Sequence, residues 1–99
     1  MKIAFSHIGK SLGTRFLANK IRMQVETGMA NKQFVTFDLT GVESMSHSFA
    51  DECFGKLLLT HDLNSIKSNS TFIGAKKEVE QVILFTIKER FNKLHQAEA

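Results

Sequence analysis

The sequence predicts a small α/β domain in which a largely parallel or mixed sheet of three to four strands packs against three helices, in the order β-α-β-α-β-α. Two observations support this prediction. Segments with the apolar spacing of strands alternate along the chain with segments in which apolar residues recur every three or four positions. The length of 99 residues suffices for one hydrophobic core, so we expect a single domain over residues 1–99.

The first strand and the first helix lie in the N-terminal third. Residues 2–6 alternate enough to form a strand, which we expect at an edge of the sheet. Thr14 is predicted to cap a helix that runs to about Gly28, where the glycine stops it. Four apolar side chains share its inner face: Leu17, Ala18, Ile21 and Val25. Four polar ones are expected to point outward: Arg15, Asn19, Arg22 and Glu26.

The central strand is predicted at residues 34–39. Its apolar residues, at positions 34, 35, 37 and 39, would fill both faces of a strand that other elements cover. Thr40 and Gly41 make a turn, and residues 42–47 form a loop just beyond the carboxyl end of the strand. Binding sites of α/β proteins tend to lie at such ends.

A second helix is predicted from Ser48 to about residue 63. Ser48 and Asp51 have the spacing of a capping box, in which the serine accepts from the first turn and the acid reaches back. We expect Cys53 to be a small core residue and Gly55 to permit a close backbone approach. The apolar stripe of this helix comprises Ala50, Cys53, Phe54, Leu57, Leu58 and His61.

The C-terminal third is predicted as a polar linker at residues 64–69, a strand at 71–75 and a helix at 76–96. The inner face of that helix is expected to carry Val79, Val82, Ile83, Ile87, Phe91 and Leu94. Leu84 and Phe85 extend the apolar surface around its side. They either cover the open sheet or meet a partner or a second copy.

Composition and charge limit the classes of function. Apolar residues make up 42% and charged residues 23%, which is typical of a globular protein. No apolar run approaches the roughly 20 residues that span a bilayer, so we expect no membrane partner and a cytoplasmic location. The successive thirds carry net charges of +5, −4 and +2. The basic residues are scattered without an aromatic ladder, which favours solvated helix charges over a nucleic-acid surface.

The strand end Asp38-x-x-Gly41-Val42, followed by the run Ser48-Phe49-Ala50-Asp51-Glu52 and an apolar helix, resembles the STAS domains (sulfate transporter and anti-sigma factor antagonist). The closer resemblance is to the bacterial STAS-like group with a Ser-Phe-Ala-Asp-Glu signature. It covers about residues 10–95 by element order and residues 35–58 by motif.

This resemblance implies a non-enzymatic regulatory module that binds a GHKL-type ATPase or kinase through residues 42–56. The implied partner-binding or regulatory residues are Ser46, His47, Ser48, Phe49, Asp51 and Glu52. Anti-sigma factor antagonists carry a phosphorylated serine in this loop, and His47 stands at that position here. Ser46 and Ser48 are the remaining candidates for phosphorylation.

The residues themselves give no catalytic or metal-binding pattern. The four histidines have no metal-ligand spacing among themselves or with Cys53, so we expect no metal and no cofactor. We therefore predict that the protein is not an enzyme. The alternative function is a structural or oligomerisation domain with weak nucleic-acid contact through its basic ends, and homodimer formation is open under either hypothesis.

Overall fold

The computed structural model describes residues 1–96, so the last three residues of the predicted 1–99 domain lie outside the described residues. The strands are β1 (Lys2–Ala4), β2 (Ser11–Leu12), β3 (Val35–Asp38), β4 (Ser44–Met45) and β5 (Ser70–Ile73). The α-helices are α1 (Arg15–Ala30), α2 (His47–Cys53), α3 (Leu63–Asn69) and α4 (Lys77–His95). Short 3-10 helices cover Phe5–His7 and Gly55–Leu59.

Three strands form the main sheet in the order β1-β3-β5, and all of them are parallel. The prediction of a small α/β fold with β3 at the centre and the first strand at an edge is confirmed. Ile3, Phe37 and Phe72 lie side by side in register. Because each crossover advances one strand in the same direction, right-handed connections place the helices on one face of the sheet.

The central strand buries only one of its faces. Val35, Phe37 and Leu39, which alternate along the chain, are fully buried. Thr36 is partly buried, and Phe34 is 51% exposed. The prediction that this strand fills both faces, with Phe34 in the core, is therefore wrong, since the helices cover one face only.

A cluster of phenylalanines forms the centre of the core and joins the sheet to α2. The Phe37 ring lies 5.1 Å from the ring of Phe54 and 4.8 Å from that of Phe72. Phe5 lies 5.7 Å from Phe54 and 6.4 Å from Phe49. Burial of a large aromatic side chain contributes about 1.5–3 kcal/mol, so this cluster is a main source of stability.

Helix α1 begins where the sequence predicts and ends later. The Thr14 hydroxyl accepts from the Leu17 N–H at 3.3 Å, which confirms Thr14 as the N-cap. The helix does not stop at Gly28, which is buried inside it. Lys32 instead adopts φ 59° and reverses the chain after the last turn. A side chain other than glycine therefore occupies the left-handed position that ends this helix.

Two elements lack a visible sequence pattern. The predicted loop at residues 42–47 contains β4, which pairs in parallel with β2. The predicted linker at residues 64–69 is wrong, because these residues form most of α3, whose cap Asp62 accepts from the Ser65 N–H at 2.7 Å. Ile66 is the buried side chain of α3, and a single buried residue cannot show the repeat of apolar positions that marks a helix. Within residues 1–96 the fold has four α-helices instead of three.

The predicted helix at 48–63 is shorter and is followed by a 3-10 helix. Gly55 makes the predicted close approach. A Cβ atom there would lie 2.6 Å from the Asp51 carboxylate and 3.5 Å from the Thr86 carbonyl oxygen of α4. Cys53 is confirmed as a core residue, and burial raises the pKa of its thiol.

Helix α4 lies within the predicted bounds and packs one face against the rest of the protein. Its buried side chains are Val79, Ile83 and Thr86. Leu84 and Phe85 are 56% and 51% exposed, so they do not cover the sheet. Leu94 is 41% exposed, and its predicted place on the inner face is wrong.

Candidate functional site

The candidate site lies where the chain leaves β3 and enters α2. Gly41 adopts φ 86°, a conformation that glycine takes without strain, and turns the chain after the strand. The Ser46 N–H then donates to the Leu12 carbonyl oxygen at 2.9 Å, which extends the pairing of β4 with β2. This pairing fixes the residue at which α2 can begin.

Ser46 is the N-cap of α2. Its hydroxyl oxygen accepts from the Phe49 N–H at 3.0 Å, and its O–H donates to the Gly13 carbonyl oxygen, also at 3.0 Å. The predicted capping box of Ser48 and Asp51 is wrong, because the helix starts two residues earlier. The Ser46 hydroxyl therefore ties the start of α2 to the loop before α1.

Asp51 connects α2 to both long helices. One of its carboxylate oxygens lies 2.6 Å from Nη2 of Arg90 and 3.0 Å from Nη1 of Arg15, and the other accepts from Nε of Arg90 at 3.2 Å. Burial raises the pKa of Asp51, but the hydrogen bonds from Arg90 and then Arg15 outweigh it and lower the pKa below its ordinary value. The carboxylate is therefore charged and held in place.

Glu52 is a buried carboxylate, 5% exposed, with four side-chain donors. Oε1 lies 2.9 Å from Lys56 Nζ and 3.3 Å from Arg15 Nη1, and Oε2 lies 3.1 Å from Arg22 Nη2 and 3.3 Å from Asn19 Nδ2. Burial raises the pKa of Glu52, but these donors outweigh it and lower the pKa from 4.5 to about 2. A buried charge with this many partners binds α2 firmly to α1.

The polar face of α1 is therefore a contact surface for α2. Arg15, Asn19 and Arg22, which were expected to point outward, all meet Glu52. Nε of Arg22 also donates to the Glu52 carbonyl oxygen at 2.8 Å. The spacing of these three residues at i, i+4 and i+7 was the sequence signal of one shared face, but only the packing shows what that face meets.

The six predicted site residues differ in their exposure to solvent. Phe49 and Glu52 are buried, and Asp51 is largely occupied by its two arginines, so these three support the surface. His47 and Ser48 are exposed. Of the six residues, these two therefore form the accessible part of the site.

Ser48 and His47 border a polar cleft of about 140 Å³. Sequence reasoning did not find three cationic residues that also line it: Arg15, Arg90 and Lys93. Asp51 and Glu89 are its acidic residues. The His47 ring packs edge-on against Phe85 at 5.2 Å, which fixes the rim on the α4 side. The cleft can offer hydroxyl, imidazole and cationic donors to a partner.

Neither a metal site nor a membrane span occurs in the part of the chain that the structure describes. No group of three His, Cys, Asp or Glu side chains within residues 1–96 is arranged to hold a metal ion. None of the helices in this range combines the length and the apolar character needed to cross a bilayer.

The parallel sheet with helices on one face, and a polar cleft beyond its central strand, define a small α/β domain of the class that the sequence predicts. The family model described as "STAS-like domain of unknown function (DUF4325)" matches residues 10–80. The chain belongs to this family, and the predicted resemblance is confirmed. No curated protein and no solved structure matches the chain.

The two serines should differ in their effect on stability. We expect Ser46→Ala to lower the free energy of unfolding by about 1 kcal/mol, since it removes the N-cap hydrogen bond. Ser48→Ala, at an exposed position, should change it by less than about 0.5 kcal/mol. Urea denaturation measures both. A larger loss for Ser48→Ala would contradict the assignment of Ser46 as the cap.

The cluster formed by Glu52 and its four side-chain donors should make the free energy of unfolding depend on pH. Because the folded pKa of about 2 lies below the ordinary 4.5, the stabilisation is complete above pH 4.5 and is lost as the pH falls towards 2. We expect this loss to be about 1–3 kcal/mol. Glu52→Gln should lower the free energy of unfolding at pH 7 and should reduce the dependence of that free energy on pH between these values.

Chemical denaturation across this pH range measures the effect of Glu52. Glu43→Gln is the matched control, because Glu43 is exposed. Equal stability of Glu52→Gln and wild type at pH 7 would show that the cluster contributes no net stabilisation. Asp51 titrates in the same direction, so some slope should remain in the variant.

Proposed function

We propose that this domain is a non-enzymatic regulatory module that binds a GHKL-type ATPase or kinase through the surface formed by His47 and Ser48 at the start of α2. The observation that carries the proposal is that an exposed pair of polar residues stands on a helix start held from below by Phe49, Asp51 and Glu52. Membership of the STAS-like family supports it, since anti-sigma factor antagonists bind their kinases at this place.

Rigid support is useful for recognition. A surface that is already ordered loses little conformational entropy when a partner binds, so more of the contact energy remains as affinity. The ion pairs of Asp51 and Glu52 reach α1 and α4, so α2 cannot shift without breaking them. The backbone that carries His47 and Ser48 is therefore held in one position.

The binding surface is testable at its exposed positions without disturbing the core. His47→Glu and Ser48→Arg change charge and size at sites that face solvent, so the fold should be kept. We expect each to weaken binding of a GHKL-type ATPase at least about tenfold, because each introduces a new charge and added bulk within the proposed contact. The ATPase is identified by mass spectrometry of the co-purified complex, and its affinity is measured by calorimetry.

Ser68→Arg on α3 is the matched control, since it places the same side chain at another exposed serine. It should bind as wild type does. Unchanged affinity in both His47→Glu and Ser48→Arg would overturn the proposed binding surface.

We further propose that the partner can phosphorylate Ser48, in preference to Ser46. The Ser46 hydroxyl is engaged both as acceptor and as donor, so its modification would require the start of α2 to open. The Ser48 hydroxyl is exposed beside the cleft that Arg90 and Lys93 line. Cations that line the same cleft would stabilise a phosphate of charge about −1.5 to −2.

A phosphate on Ser48 would also affect the ion pairs that hold α2 in place. It would compete with Asp51 for Arg15 and Arg90 and would repel the Asp51 carboxylate, which lies one helical turn further along. Modification would therefore alter both the charge of the binding surface and one of the ties that hold α2. This change is the basis of a switch.

Incubation of the protein with the ATPase and Mg-ATP should place one phosphate on Ser48, detected by mass spectrometry under neutral conditions. Ser48→Ala should remain unmodified, and folded Ser46→Ala should still be modified. Phosphate that is lost in acid would indicate His47 as the acceptor and contradict the assignment. Binding of the ATPase without phosphorylation would contradict the proposed switch and would leave the proposed binding surface unaffected.

A further inference from the structure

We infer that α4 carries a self-complementary surface through which two copies of this chain associate about a two-fold axis at Leu84. The surface lies on the β5 side of α4. Its residues Glu80, Leu84 and Lys88 do not line the cleft beside His47 and Ser48. The inference is therefore independent of the proposed ATPase contact.

The centre of this surface is apolar and exposed. Leu84 is 56% exposed, and beside it a cavity of about 300 Å³ opens between α4 and the edge strand β5. Its lining is mostly apolar: Phe72, Gly74, Ala75, Glu80, Ile83 and Leu84. An exposed apolar knob next to an apolar cavity is a common feature of a protein interface.

Charges of opposite sign flank this centre at equal spacing. Glu80 lies four residues before Leu84 and Lys88 lies four residues after it, so all three share one row along the helix. All three are exposed. Within residues 1–96, neither Glu80 nor Lys88 forms an ion pair. They are eight residues apart, too far to reach each other on one helix.

The row Glu80, Leu84 and Lys88 is complementary in charge to a second copy of itself that runs in the opposite direction. If two copies of α4 lie antiparallel with their Leu84 side chains at the axis, Glu80 faces Lys88 of the partner subunit, and the same contact occurs a second time by symmetry. A parallel arrangement would instead bring Glu80 to Glu80 and Lys88 to Lys88. The row therefore selects one orientation as well as one partner.

Charge complementarity is the reason to assign a second copy as the occupant. The other exposed apolar pair on a helix, Phe16 and Met23 on α1, accompanies Lys20, whose ammonium lies 4.5 Å from the Phe16 ring centre. No acid belongs to that row, so it cannot match itself. Helix α4, with 19 residues, is about 28 Å long, which is enough for a helix-to-helix dimer interface of small size.

The test is a charge reversal and its restoration. Glu80→Lys and Lys88→Glu each place like charges together in the dimer, and we expect each to raise the dimer dissociation constant at least about tenfold. The double variant Glu80→Lys/Lys88→Glu restores both ion pairs. We expect it to return the constant to within about threefold of wild type, a recovery that independent effects cannot give.

Sedimentation equilibrium of the full chain at low salt, from about 1 to 300 μM, measures the dissociation constant. Glu78→Lys is the matched control for the first turn of α4, and Lys67→Glu on α3 is the control for the reversed lysine. Both should dimerise as wild type does. Circular dichroism of each variant confirms that a loss of dimer is not a loss of fold.

Two results would overturn the inference. One is a wild-type chain that remains a monomer throughout this concentration range. The other is a double variant that dissociates as readily as the single variants, which would show that Glu80 and Lys88 do not face each other. Monomeric Glu80→Lys should still bind the ATPase, so failure of the dimer and failure of the proposed function give different results.

Discussion

The buried carboxylate of Glu52 is the interaction on which the arrangement of this domain depends. Helix α2 has only seven residues, too few to be stable by itself, so its position must come from tertiary contacts. Phe49 supplies the apolar contact with the core, and Glu52 supplies the polar contact with Arg15, Arg22, Asn19 and Lys56. A buried acid is tolerated only when its partners are complete, so this set of donors specifies one orientation of α2 against α1.

This constraint changes the meaning of the Ser-Phe-Ala-Asp-Glu run. Its phenylalanine, alanine and glutamate face inward, and its aspartate joins α2 to Arg15 and Arg90. The run thus encodes mainly how α2 is held, and Ser48 is its one exposed residue, next to the exposed His47. A signature of this kind can identify a family while most of its residues never touch a partner. The second surface that we infer, the outward row of α4, shares no residue with the cleft beside Ser48.

Prediction succeeded where the signal was local or strongly periodic. The order of the main strands, the central place of β3, the Thr14 cap and the span of α4 follow from apolar spacing and from capping chemistry. It failed where elements were short. Strands β2 and β4 have two residues each, and α3 buries only Ile66, so none of them has a period to detect. Ser46 and Ser48 were equally good caps by residue type, and the pairing of β4 with β2 selected Ser46.

The sequence alone determined the α/β class, the family and the segment proposed as the candidate site, because these depend on residue types and spacing along one stretch of chain. Only the tertiary structure decided which residues of that segment are accessible. Arg15, Arg22 and Arg90 come from helices 30 or more residues away in the chain, and their approach turned two apparent surface acids into internal ties. Exposure is a property of packing between distant segments, and no local pattern contains it.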